Sequence, residues 1–152
     1  MGQMIDRLQS LAHQGDALAG EVTLPLARGI HAFAQEAYSE AVQHLEPIFG
    51  APHLDQLARI GGSHAQREVF EDTMLEAYLR AERFDKAEAM LRARLQRRAS
   101  ARDLFWLGRA QVGNGEPEAA RASFHEVIQR WQDADLGSPE RTTLNRLAAQ
   151  AS

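Results

Sequence analysis

The chain has no cysteine. That excludes a disulfide framework, a thiolate zinc site, an iron–sulfur cluster and a cysteine nucleophile. Lysine is nearly absent too: Lys86 is the only one, and all other cationic side chains are arginine or histidine, a skew that GC-rich bacterial genomes produce. No apolar run approaches the roughly 18 residues needed to span a bilayer. An acid, Asp6, arrives too early for a charged n-region followed by an apolar h-region. Asp6 also stands where a myristoylation signal carries Ser or Thr. A cytoplasmic location, with no membrane contact, is therefore expected. A net charge of -4 argues against a nucleic-acid surface. There is no nucleophile elbow, phosphate loop or HExxH, so no reaction and no cofactor are expected.

What remains is a chain of 152 residues, 44% hydrophobic and 25% charged, the size and balance of one ordinary globular domain. Such a chain can bury roughly 70% of its unfolded surface without a metal or crosslink. Ala, Leu, Gln, Glu and Arg dominate, strand-like alternation is missing, and Pro25, Pro47, Pro52, Pro117 and Pro139 stand at helix starts or ends. The reading is all-α. Helices are expected over Ile5–Ala12, Thr23–Ala34, Ala37–Phe49, Ser63–Ala81, Phe84–Arg97, Arg102–Val112, Pro117–Gln132 and Pro139–Ala149. Breaks are expected at Gly15–Gly20, Gly50–Gly62 and Gly113–Gly115. Ser63 with Gln66 has the form of a capping box, and Ser138 that of an N-cap before Pro139.

The helices fall into pairs that resemble one another. Tyr38, Phe84 and Pro117 each open a second helix. Three residues on lie Ala41, Ala87 and Ala120; seven on lie Leu45, Leu91 and Phe124. Upstream at fixed offsets lie Gly29, Leu75 and Gly108, preceded by Arg28, Met74 and Leu107. The turns align as Gln35–Glu36, Glu82–Arg83 and Gly115–Glu116. Small residues where two helices cross resemble the tetratricopeptide repeat, whose period is about 34. The spacing here is 33 from Phe84 to Pro117 and 46 from Tyr38 to Phe84, where an insertion intervenes. The third pair fits best. The first fits least, because Arg28 and Pro25 occupy places where apolar residues are usual.

A narrower resemblance lies in Arg59–Phe70 (RIGGSHAQREVF), with Leu24–Phe33 before it and Ala77–Ala81 after. These segments look like those of the tetratricopeptide repeat protein 38 family, over residues 21–115. That family's members are several times longer, so the resemblance implies a chain matching their C-terminal portion. It also implies a repeat scaffold with a binding role and no established reaction. The expected division is a partial repeat helix over 1–20, repeat one over 21–50 and an insertion over 51–62. Repeat two follows over 63–99, repeat three over 100–133 and a capping helix over 138–150, all in a right-handed superhelix.

In such arrays the first helix of each pair lines a concave groove. By the alignment that groove carries Phe33, Arg67, Asp72, Glu76, Leu79, Arg80, Phe105 and Arg109. Phe33, Leu79 and Phe105 would be apolar anchors, and Arg67, Arg80 and Arg109 would select an acidic or C-terminal carboxylate. The expected function is a non-catalytic protein–protein interaction module. An alternative is a small-ligand or anion site at Arg59, Gly62, His64 and Arg67, where two glycines precede a helix start. His64, Glu68 and Asp72 share one helix face, but ion pairing explains them and no metal is expected. Arg92, Arg94, Arg97, Arg98 and Arg102 spread over more than one face and read as solvated, partly paired with Glu88 and Asp103. The apolar stripe Met4, Leu8 and Leu11 on the unpartnered first helix suggests a homodimer.

Overall fold

A computed structural model of the protein describes residues 1–49, 64–131 and 139–150. Among them the chain is helical throughout: α1 (Gly2–His13), α2 (Leu24–Ala34), α3 (Tyr38–Phe49), α4 (His64–Arg80), α5 (Phe84–Arg97), α6 (Ala101–Gly113), α7 (Pro117–Arg130) and α8 (Pro139–Gln150). None is long and apolar enough to cross a membrane. The insertion over 51–62 and the Ser63 and Ser138 caps lie outside the described residues. The chain forms two compact units, Met1–Ala81 and Glu82–Ser152.

The first unit departs from expectation between α1 and α2. The break is confined to Gln14–Asp16; Gly20 lies inside a π-helical turn, Ala19–Thr23, that runs into α2. Asp16 restarts the helix by accepting from the Ala19 amide at 2.9 Å. Pro25 explains the widened turn. Proline has no N–H, and its ring clashes with the carbonyl four residues back in a regular helix. The Leu24 amide instead reaches the Ala19 carbonyl, and the Thr23 hydroxyl donates to the Leu18 carbonyl at 3.2 Å.

Connections between helices repeat one geometry. Gly15, Glu36, Glu82 and Gly115 all have positive φ, from 57° to 90°. After α1, α2 and α6 this residue donates to the carbonyl three back (Ala12, Phe33, Val112), and its successor donates to the carbonyl five back (Leu11, Ala32, Gln111). The alignment at the first turn therefore moves by one: Glu36, rather than Gln35, corresponds to Glu82 and Gly115, each two residues before a helix.

Within each unit two helices approach closely at a glycine. A Cβ on Gly29 would lie 2.5 Å from Leu45 Cδ2, and one on Gly108 would lie 2.3 Å from Phe124 Cε1. Both pairs are separated by the same stretch of sequence, so the repeated offset corresponds to a repeated contact. In the first unit α2 packs on α3 and α3 on α4; Val22, Leu24, Leu26, Ala27, Ala41, Leu45, Ile48, Met74, Leu75 and Tyr78 are all buried there. In the second, Leu104, Ala120, Phe124, Val127 and Leu144 form one buried cluster, with Phe105, Trp131 and Leu147 against it.

One member of the arginine run is not solvated. Arg94 is 2% exposed and Asp103 is fully buried. They meet through Nε–Oδ2 at 3.3 Å and Nη2–Oδ1 at 3.2 Å. The reason is helical phase: Ala87, Leu91 and Arg94 fall on one stripe, which α5 turns inward. Ser100 caps α6 by accepting from the Asp103 amide at 3.2 Å, which places the carboxylate in the first turn, where the helix dipole favours it. Arg92, by contrast, stays exposed and pairs with Glu88 at 2.6 Å.

Two stability results follow. Gly108→Ala gains about 1 kcal/mol of helix propensity but meets a fully buried Phe124, and overpacking of that kind costs about 1–3 kcal/mol; chemical denaturation should show net destabilisation. Arg94→Ala leaves the Asp103 carboxylate buried without its guanidinium and should cost about 3–5 kcal/mol. Arg92→Ala in the same assay should stay within about 0.5 kcal/mol.

Candidate functional site

The clearest exposed cluster lies in the first unit, where the α2–α3 turn meets the end of α4. Phe33, near the end of α2, stacks edge-on against Tyr38 at the start of α3, with ring centroids 5.5 Å apart and planes at 72°. Arg80, the last residue of α4, places its guanidinium 5.7 Å from the Tyr38 ring centroid. Its Nε donates to Glu76 Oε1 at 2.8 Å, one helical turn back. That hydrogen bond and the Glu76 charge hold the guanidinium above its ordinary pKa, so it is cationic at every physiological pH. The Arg80 side chain is more than half exposed, while the two rings are half-buried.

Three of the eight groove residues, Phe33, Glu76 and Arg80, thus share one patch. Tyr38, which links them, was read only as a helix start. Its turn position and aromatic character were the signals available. Asp72 lies one turn further back on α4 and is half-buried. Leu79 is only 6% exposed and cannot serve as an open anchor: it lies on the buried stripe with Leu75 and Tyr78, whose hydroxyl donates to Glu46 at 3.1 Å.

Phe105 and Arg109 belong to the second unit. Phe105 packs against the buried cluster, its ring 6.2 Å from that of Phe124, so it is largely a core residue. Arg109 is half-buried on the same helix. The exposed feature of α6 is a pairing that the repeat pattern does not signal, Arg102 over the Trp106 ring at 5.2 Å.

The alternative anion site is not brought into view. Arg59 and Gly62 lie outside the described residues, as do the side chains of His64 and Arg67. No group of three or more His, Asp or Glu that could hold a metal ion occurs among the described residues.

Comparison with protein-family models, with curated proteins and with solved structures finds no match. The resemblance to tetratricopeptide repeats therefore rests on the aligned residues themselves.

Proposed function

We propose that the protein is a non-catalytic interaction module, a tetratricopeptide-like array of helix pairs that holds a peptide or helix of a partner protein. The reading places it in the cytoplasm. The observation that carries it is the Phe33–Tyr38–Arg80 patch. Side chains from three helices combine an aromatic face with a fixed cation, the chemistry that recognises an acidic side chain or a free C-terminal carboxylate beside an apolar residue. Arg102 over Trp106 repeats that combination on α6. Further support comes from the repeated turn geometry and from the helix contacts at Gly29 and Gly108.

The test is fluorescence anisotropy with labelled peptides that end in a free carboxylate after an apolar residue. Arg80→Gln, an exposed change, should weaken binding by about tenfold, the effect of losing one charge-assisted contact, with no change in melting temperature. Phe33→Leu should weaken it as well. Affinity unchanged by both variants would contradict the reading.

Assembly into a homodimer is a second element of the proposal. α1 buries none of its residues, and Met4 and Leu11 remain 48% and 37% exposed. Light scattering should give twice the 16.9 kDa chain mass, and Met4→Gln with Leu11→Gln should halve it. A wild-type monomer at micromolar concentration would refute this element.

A further inference from the structure

In the first unit a cleft of about 440 Å³ opens between α1, α2 and α3, lined by Ile5, Arg28, His31, Gln35, Glu40 and His44 among others. Its size suits a small ligand. Arg28 is the informative residue. In the other two helix pairs its aligned positions are Met74 and Leu107, both buried in apolar surroundings. At this one position an apolar residue gives way to a guanidinium, half-buried and facing a cavity. That guanidinium is not neutralised. Its hydrogen-bond partner is the neutral Gln9 amide oxygen, at 3.0 Å from Nη2, and among the described residues no carboxylate pairs with it.

The rest of the lining adds donors. His31 comes from the next position but two on α2, and His44 from α3. His44 Nε2 faces Glu40 Oε1 at 3.7 Å, leaving Nδ1 as the ring's other polar atom. Gln35 brings an amide. Glu40 is the one acid of the lining and is well exposed.

From this set we infer that the cleft binds a small polyatomic anion, a phosphate or a dicarboxylate. The Arg28 guanidinium supplies the fixed charge and a planar fork of donors. His31, His44 and the Gln35 amide supply further hydrogen-bonding groups around it. Gln9, from α1, holds the guanidinium in place. This site is separate from the Phe33–Tyr38–Arg80 patch and does not depend on the peptide reading.

The experiment follows the histidine ring signals of the full-length chain by NMR. Sodium phosphate, and in a second series disodium succinate, is titrated at fixed pH against sodium chloride of equal ionic strength. The inference expects the His31 and His44 signals to move saturably with at least one of the two anions and not with chloride. The anion that saturates identifies the class of ligand. Arg28→Met restores the residue type of the other pairs, so it should keep the melting temperature while weakening binding by about tenfold or more. Arg28→Gln, which removes the charge but keeps a donor for Gln9, should weaken it as well. Arg92→Ala, which removes the same charge from the other unit, should have no effect. Shifts that match those in chloride, or binding that survives both Arg28 variants, would overturn the inference.

Discussion

Where Phe124 lies across Gly108, two helices come closer than any side chain larger than hydrogen would allow, and the same approach recurs at Gly29 and Leu45. These crossings set the geometry of their units. A residue opposite a glycine can be large and fully buried, as Leu45 and Phe124 are. Around these crossings Ala27 and Ala41 are buried in one unit, and Leu104 clusters with Ala120 and Val127 in the other. Two of the turns, at Glu36 and Gly115, join the helices that cross at Gly29 and Gly108. Helices that pack this tightly need short connections, and a left-handed residue followed by the start of the next helix is the shortest that satisfies the last carbonyls. Glu36 and Glu82 adopt that conformation without being glycine, at a cost of about 1 kcal/mol each; at Glu36 the packing of α2 on α3 outweighs it.

Most of this architecture can be read from the sequence because it depends on local periodicity. The helix limits, the small residues at Ala41, Ala87 and Ala120, and the Gly–large pairing all recur at fixed offsets. What could not be read depends on orientation in space. The π-helical turn before Pro25 needs the Thr23 hydroxyl to reach Leu18, and nothing in the local pattern demands it. The burial of Arg94 was hidden by its neighbours: five arginines in eleven positions resemble a solvated face, although Ala87, Leu91 and Arg94 already share the inward phase. Repeat alignment assigns Leu79 to a groove without showing how its helix is rotated, and the rotation buries it. Tyr38 was overlooked for the converse reason, since a helix start was already a sufficient explanation for it.

The arginines of this chain sort themselves by what opposes them. Arg94 faces a buried carboxylate and holds α5 to α6. Arg92 and Arg130 make exposed pairs one turn along their own helices, with little effect on stability. Arg80 and Arg102 lie over aromatic rings at the surface. Arg28 lines a cleft with only a neutral amide as partner. The first two groups are explained by folding alone. The last two set a guanidinium beside an aromatic face or inside a concavity, Arg80 while also paired with Glu76, and there the physical case for ligand recognition is strongest. With Lys86 the only lysine, nearly every fixed side-chain cation of the protein is a planar fork suited to carboxylates and phosphates.

The exposed patch joining α2, α3 and α4 is the proposed recognition surface. The most direct test is an aromatic and arginine-side-chain NMR titration of the intact protein with a peptide ending in an apolar residue and a free carboxylate. Recognition at this patch should give saturable shifts of the Phe33 and Tyr38 ring signals and of the Arg80 Nε–H, moving together with one affinity. Shifts confined to other surfaces, or none at peptide concentrations well into the millimolar range, would contradict it.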